Sequence, residues 1–409
     1  MSLLSKNANM TLGKFIFRYC MCTMLILFGM TSCSWYEEED NRYDRTVLVY
    51  MAADNSLSSY TWDDIDEMVL AAGDIPKNSC LYIYVDDKHN MPRILSIEQQ
   101  EEGNTYKTIH QYTEEHNSGD PETLGLVMEW IINNSPSESY GLVLWSHGTS
   151  WMPTKSGVQR AICQDTQNDS NSWMNIDELS HTLKGFPKLE FIFFDACFMQ
   201  AIEVSYELRQ AAHYLLGSPA EIPGPGAPYD RIIKSLFSTP FDANEVIYQY
   251  YEHYSTYPEG YGVVLSAVDC SYIEDLLRIN SEMITKYIHA ENEEMDLSNI
   301  QKYVLKHNDK KNSIHFRPAY HDMNAYMKNI LSENDYIRWK AVFDKTVPYR
   351  YTTSHWLSKL EYGERRLSVD IANYGGLSCF IPSSIYPNLN EAFRATSWYK
   401  ASGWQQTGW

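Results

Sequence analysis

The sequence predicts an α/β fold: an α/β/α sandwich with a mostly parallel central sheet and a C-terminal subdomain. Three observations carry that prediction. Several short apolar runs are nearly continuously hydrophobic and do not alternate, as happens when both faces of a parallel sheet are covered. Amphipathic helical stretches separate those runs, which gives βαβ units. The chain is also long enough, at 409 residues with 44% hydrophobic and 14% aromatic side chains, to bury a large core, and this composition excludes disorder.

In chain order, the expected strands are residues 46–53 (TVLVYMAA), 80–86 (CLYIYVD), 140–146 (YGLVLWS), 189–195 (LEFIFFD), 214–218 (YLLGS) and 261–268 (YGVVLSAV). Residues 121–134 place Leu124, Val127, Met128 and Ile131 on one helical face, with Asp120 as N-cap and Pro121 in the first position. Further helices are expected over 176–184, 198–212 and 243–254. Beyond about residue 270 the alternation fades into helical, aromatic-rich sequence, with one more strand at 377–382 (LSCFIP). The expected organisation is therefore a signal peptide (1–32), an acidic tether (33–45), a core (46–270) and a subdomain packed on it (271–409).

The first 32 residues differ in character from the rest. Lys6, Lys14 and Arg18 precede a short apolar run, residues 20–30, that ends in Thr31-Ser32-Cys33. Such a run is too short to span a bilayer as a helix, so it reads as an export signal. Small residues before a cysteine resemble the lipobox of bacterial lipoproteins, although Met30 stands where that pattern prefers Leu. On this reading Cys33 carries lipid and the protein is anchored to the bacterial outer membrane. The acidic run Glu37-Glu38-Glu39-Asp40 that follows is a solvated tether, and in some lipoproteins such a run resembles a signal for surface display.

With 33 basic against 53 acidic side chains, the formal charge is -20. Such a chain repels phosphate backbones, which argues against nucleic acid and for a cationic partner. Of eight cysteines, Cys20 and Cys22 leave with the signal. The remainder after Cys33 are Cys80, Cys163, Cys197, Cys270 and Cys379, odd in number and widely spaced. That pattern is not a disulfide framework, and at least one thiol is left to explain.

In open parallel sheets, functional groups gather past the carboxyl ends of the strands. Those ends carry Asp54-Asn55, Asp86-Asp87, Ser146-His147-Gly148 and Asp195-Ala196-Cys197. One imidazole and one thiol thus share a rim. A thiol becomes a strong nucleophile as thiolate, which a neighbouring imidazole favours, and so does a helix N-terminus, expected at Cys197. The N–H groups of Gly148 and Cys197 could form an oxyanion hole. Asp195 is placed to pair with a positive substrate side chain.

The segments Tyr50-Met51-Ala52-Ala53-Asp54-Asn55-Ser56-Leu57, Leu144-Trp145-Ser146-His147-Gly148 and Phe194-Asp195-Ala196-Cys197-Phe198-Met199 resemble, in this order, signatures of clostripain-related cysteine peptidases. Those peptidases belong to the clan with the caspase-like fold. Gly217-Ser218-Pro219-Ala220-Glu221, the segment from Pro223 to Tyr229, Leu265-Ser266-Ala267-Val268-Asp269 and the segment from Gly376 to Pro382 extend the likeness over roughly residues 46–400. The resemblance implies a caspase-like sandwich and a His147/Cys197 dyad. It also implies protein or peptide substrates cut after Arg or Lys, with Asp195 as the acidic determinant; Asp54 and Asn55, at another strand end, are further candidates for substrate binding. Members often cut themselves between the His and Cys motifs, and Arg160-Ala161 is the candidate bond here. Calcium dependence is known in the family, but no EF-hand loop is present and no metal or cofactor is inferred. The departure is Thr149-Ser150-Trp151 in place of further glycine after His147-Gly148, with Trp151 expected to line the cleft.

Other motifs are absent: H-E-x-x-H, a Walker loop, or G-x-G-x-x-G opening a helix. Ser146 has no G-x-S-x-G elbow around it. The rival reading is a catalytically silent surface lipoprotein of the same fold, binding glycan or protein through aromatic residues such as Trp398, Trp404 and Trp409.

Overall fold

The computed structural model describes residues 42–100, 103–152, 161–167, 171–257, 260–290, 296–303, 320–360 and 363–409. The strands are, in chain order, β1 (Tyr43–Ala53), β2 (Ser79–Asp87), β3 (Asn90–Glu98), β4 (Thr105–Gln111), β5 (Ser137–Trp145), β6 (Ile162–Asp165), β7 (Ser172–Met174) and β8 (Leu189–Asp195). There follow β9 (Ala212–Gly217), β10 (Val264–Asp269), β11 (Lys302–Tyr303), β12 (Tyr320–Asp322), β13 (Tyr349–Thr352), β14 (His355–Leu360), β15 (Gly363–Ser368) and β16 (Ser378–Phe380). Nine of them form the central sheet in the order β13-β10-β9-β8-β5-β1-β2-β3-β4. Its middle, β9-β8-β5-β1-β2, is parallel throughout. Antiparallel strands extend both edges.

The unbroken apolar runs follow from two buried faces. Along β1, Val47, Val49, Met51 and Ala53 enter one core, while Leu48, Tyr50 and Ala52 enter the other. The first core is covered by α1 (Thr61–Leu70) through Ile65 and Met68. The second is covered by α2 (Pro121–Asn134) and α3 (Ile176–Leu183), through Leu124, Val127, Met128, Ile131 and Leu179. Next along the chain is α4 (Ile202–Leu208), also on that second side. Then α5 (Tyr229–Leu236) and α6 (Ala243–Ser255) return to the first side with Ile232, Ile233, Val246 and Tyr250. This is the α/β/α sandwich expected from the sequence. Helix α2 begins as its sequence dictates, with Asp120 Oδ1 accepting from Glu122 N at 2.9 Å and Pro121 first in the helix.

Several expectations need revision. The helix expected over 198–212 is the shorter α4, because Phe198 sits at φ +63° and residues 198–201 form a loop. The 33–45 tether ends earlier, since Tyr43 already pairs with Ser137 in the sheet. Residues 43–409 form one compact unit, and the stretch after residue 270 is woven into it. Strand β13 closes one edge of the central sheet on β10. Ser378 N donates to Gln200 O at 2.9 Å, tying the late strand to the loop after β8. Among the described residues no helix is long and apolar enough to cross a membrane. Cys33 lies outside the described residues.

Candidate active site

Strands β5 and β8 are parallel neighbours, and Trp145 stands opposite Asp195 in their register. His147 and Cys197 each come two residues after that pair. Equal offsets beyond a shared register on adjacent parallel strands bring the two side chains to one rim. Both line a cleft of about 300 Å³, together with Gly148, Asp195, Glu221 and Leu357. Ser146 N donates to Asp195 O at 3.4 Å, extending the ladder to the site. The two loops then touch at Gly148, where a β-carbon would stand 2.5 Å from the Cys197 carbonyl oxygen. Only glycine allows so close an approach of backbone to backbone.

The turn that presents Cys197 is strained and heavily braced. Phe198 is left-handed at φ +63°, a conformation that costs a non-glycine residue on the order of 1 kcal/mol or more. Phe198 N donates to Ala220 O at 2.9 Å and Gln200 N to Ser218 O at 3.0 Å. The Gln200 amide reaches on to Leu215 O and Ser266 O. The Phe198 ring stacks on Tyr320, with centroids 6.5 Å apart. The Cys197 Sγ accepts a hydrogen bond from Ile222 N at 3.4 Å.

Burial pushes the Cys197 thiol up to about 12, the Glu221 carboxylate adds to the rise, the Ile222 N–H opposes it, and Asp195 adds a smaller part. Burial also lowers His147. The resting pair is therefore a neutral thiol beside a neutral imidazole. The helix contribution expected for Cys197 does not apply, because α4 begins only at Ile202. His147 Nε2 and Ser56 Oγ are 2.8 Å apart, which orients the ring. Sequence reasoning missed Ser56, although it lies inside the quoted 50–57 segment.

Asp195 lies on the cleft wall, its carboxylate almost wholly buried. Oδ2 accepts from the Tyr229 hydroxyl at 2.9 Å and from Ala227 N at 3.1 Å, while Oδ1 has no partner among the described residues. Burial raises its pKa to about 6 against those two hydrogen bonds. Gly226, at φ +73°, lets the chain pass over this carboxylate, since a β-carbon there would lie 2.9 Å from Oδ2. Beneath it, the Trp145 indole N–H donates to Asp64, whose pKa burial and then the Asp195 charge raise to about 9.

Three expected contacts are not at the cleft. Asn55 is fully buried; its amide donates to Ala52 O at 2.8 Å, Ser146 Oγ at 3.3 Å and Gln164 O at 2.8 Å, so it ties β1, β5 and β6 together. Asp54 is buried beside it and accepts through its backbone from Thr166. Both hold up the loop that carries Ser56, and neither lines the cleft. Trp151 is 5% exposed and packs against Phe380 and Phe393, each with centroids at 5.8 Å. The left-handed Ser150 before it turns the chain inward, so the indole fills the core. Arg160 lies outside the described residues. Ala161 is buried, with its N–H donating to Met174 O and its carbonyl accepting from Thr149 N.

The five cysteines among the described residues are free thiols. Among those residues no group of three or more His, Cys, Asp or Glu side chains is arranged to hold a metal ion. Trp398 and Trp404 are core residues and Trp409 is half-buried, which takes the first two out of the aromatic surface that motivated the binding-protein reading.

The sequence profile of the clostripain family matches residues 49–408. Clostripain of Hathewaya histolytica is 29% identical over an alignment of 224 residues that covers 47% of this chain and 42% of that relative. The chain therefore spans less than half the length of that protein. A secreted C11 cysteine protease of Bacteroides thetaiotaomicron, solved with an irreversible peptide inhibitor, is 29% identical with a TM-score of 0.77, over 88% of this chain and 99% of that one. An inactive zymogen C11 protease of Parabacteroides distasonis is 27% identical with a TM-score of 0.76, over 88% and 98%. A profile that spans nearly the whole described chain, and a shared sandwich with the thiol and imidazole on one rim, have one reading: the chain belongs to the clostripain family.

Proposed function

We propose that this protein is an exported cysteine endopeptidase that cuts peptide bonds after Arg or Lys. The observation that carries the reading is the juxtaposition of His147 and Cys197, at equal offsets past the Trp145/Asp195 pair, in a cleft walled by an unpaired Asp195 oxygen. In this scheme His147 takes the Cys197 proton as sulfur attacks the carbonyl carbon. Ionising a thiol whose pKa is raised to about 12 in advance would be costly, so proton transfer accompanies attack. The N–H groups of Gly148 and Cys197 hold the oxyanion. The imidazolium then protonates the leaving amine, and water attacks the thioester with His147 as base. Asp195 Oδ1 accepts from the basic side chain before the scissile bond. The chemistry requires no metal or cofactor.

Export and a lipid anchor at Cys33 complete the proposal, in keeping with the secreted relative from Bacteroides thetaiotaomicron. Likeness to the inactive zymogen motivates an internal cut at Arg160-Ala161. Ala161 would have to leave its two hydrogen bonds for that bond to enter a cleft.

The test uses the chain from residue 34 onward with fluorogenic peptides ending in Arg or Lys. Wild type should turn them over, and Cys197→Ala and His147→Ala should each abolish turnover. A folded wild type that neither cleaves them nor reacts with a thiol-directed peptide inhibitor would refute the reading. Asp195→Asn should weaken cleavage after basic residues selectively, and an unchanged preference would remove Asp195 from the pocket.

A further inference from the structure

The cleft contains a second carboxylate that the mechanism above does not use. Glu221 lies in the loop after β9, beside Ile222, whose N–H bonds the Cys197 sulfur. Its Oε2 is buried and has no hydrogen-bond partner among the described residues. A carboxylate held that way is costly unless something else completes it. Among the described residues lining the cleft there is no Lys or Arg.

Glu221 and Asp195 occupy different parts of the cleft. Asp195 rests on the turn of Ala227 and Tyr229. Glu221 faces Ser358 of the β14–β15 hairpin, and the neighbouring Leu357 reaches the cleft. The Ser358 hydroxyl is buried beside that carboxylate: burial raises the carboxyl pKa to about 7, and the hydroxyl opposes the rise. Beyond burial, both carboxylates raise the pKa of the Cys197 thiol. Two separated anions flanking one nucleophile match a ligand with two separated cations.

We propose that Glu221, with Ser358, forms a second cation-accepting subsite, so that the preferred substrates are peptides with a second basic residue adjacent to the one at the scissile bond. This rests on the peptidase reading above. The side chain bound at Glu221 does not react; it adds a charge-assisted hydrogen bond that a neutral side chain cannot make.

The experiment compares kcat/KM for four peptides that share Arg before the scissile bond. One has Ala on both sides of it, two carry a single Lys either just before that Arg or just after the bond, and one carries Glu instead of Lys. The readout is the ratio of each peptide to the Ala peptide within one enzyme, so a general loss of activity cancels. In wild type, one Lys peptide should exceed the Ala peptide about 10-fold, the scale of one charge-assisted hydrogen bond. The Glu peptide should fall below it. In Glu221→Gln the Lys advantage should collapse toward unity, and in Ser358→Ala it should shrink, which keeps the proposal testable if the first variant folds poorly. A wild type without a Lys advantage, or an advantage that survives Glu221→Gln, overturns the subsite. Equal changes for all peptides, with the ratios preserved, overturn it too, because Glu221 would then act only on the thiol. Failure to cleave even the Ala peptide refutes the underlying peptidase reading, so the two failures are distinguishable.

Discussion

Adding a single methyl group to Gly148 should separate the two halves of the site. A β-carbon there would lie 2.5 Å from the Cys197 carbonyl oxygen, 3.0 Å from Ala196 Cβ and 3.2 Å from Met199 Cγ, whereas ordinary contact begins at 3.4 Å. The first obstacle is backbone, so no rotamer change relieves it, and the loops must part by roughly 1 Å. A misplacement of that size costs on the order of 100-fold in rate, about 2.7 kcal/mol of barrier. Overpacking a fitted interior costs about 1–3 kcal/mol of stability as well. The assay is kcat/KM on an Arg-ending fluorogenic peptide, normalised to the folded fraction from a circular dichroism melt. A folded Gly148→Ala protein within about 3-fold of wild type would refute the reasoning, because the loops would not need their present spacing.

Ser56→Ala should free the imidazole from its 2.8 Å partner and lower kcat about 10-fold, the worth of one hydrogen bond of this kind. Ser56→Thr should recover most of it, and an unchanged kcat and pH profile in the alanine variant would deny Ser56 a positioning role. Trp151→Ala should cost about 3–5 kcal/mol of stability without altering the order of substrate preference, since the indole is core; a reordered preference would return it to the cleft. Stability should decline as pH rises from about 4 to about 9. Burial raises Glu203 to about 7, Asp86 to about 8 and Asp64 to about 9, so the folded state keeps protons that the unfolded chain releases near pH 4. The stability these groups contribute is fully present below about pH 4 and is lost progressively from there, the loss being complete once pH passes those folded values. Thermal melts across the range should show the decline, and Asp64→Asn should flatten it; a flat wild-type profile would contradict the assignment.

The parallel middle of the sheet is legible in the sequence because burial on both faces writes an unbroken apolar run, as along Val47 to Ala53. The helix at Pro121–Asn134 is equally plain, since an N-cap, a first-turn proline and a 3.6-residue apolar spacing agree. The β3–β4 hairpin was not legible. Strand β3 carries Pro92, which argues against a strand in the sequence, and β4 is exposed or half-exposed along its length and has no apolar pattern. The helix expected from residue 198 failed for a comparable reason: its side chains suit a helix, but the bonds to Ala220 and Ser218 hold the backbone in a turn. Tertiary context overrides local propensity there.

At the site, the residue types that can do chemistry were visible because a thiol and an imidazole at strand ends are few, and local sequence marks strand ends. What each neighbour does was not visible. Asn55, Asp54 and Trp151 looked like cleft residues by proximity along the chain, yet hydrogen bonding and packing turn them inward. Ser56 meets His147 from 91 positions away along the chain, and Glu221 reaches the cleft 24 positions after Cys197. Sequence alone therefore determined the strands of the parallel middle of the sheet and which reactive groups end them, because burial on both faces leaves a local pattern. Only the tertiary structure decided the register of β5 on β8, the approach of Gly148 to Cys197, and which carboxylates face the cleft. Those depend on distances between segments that no local pattern encodes.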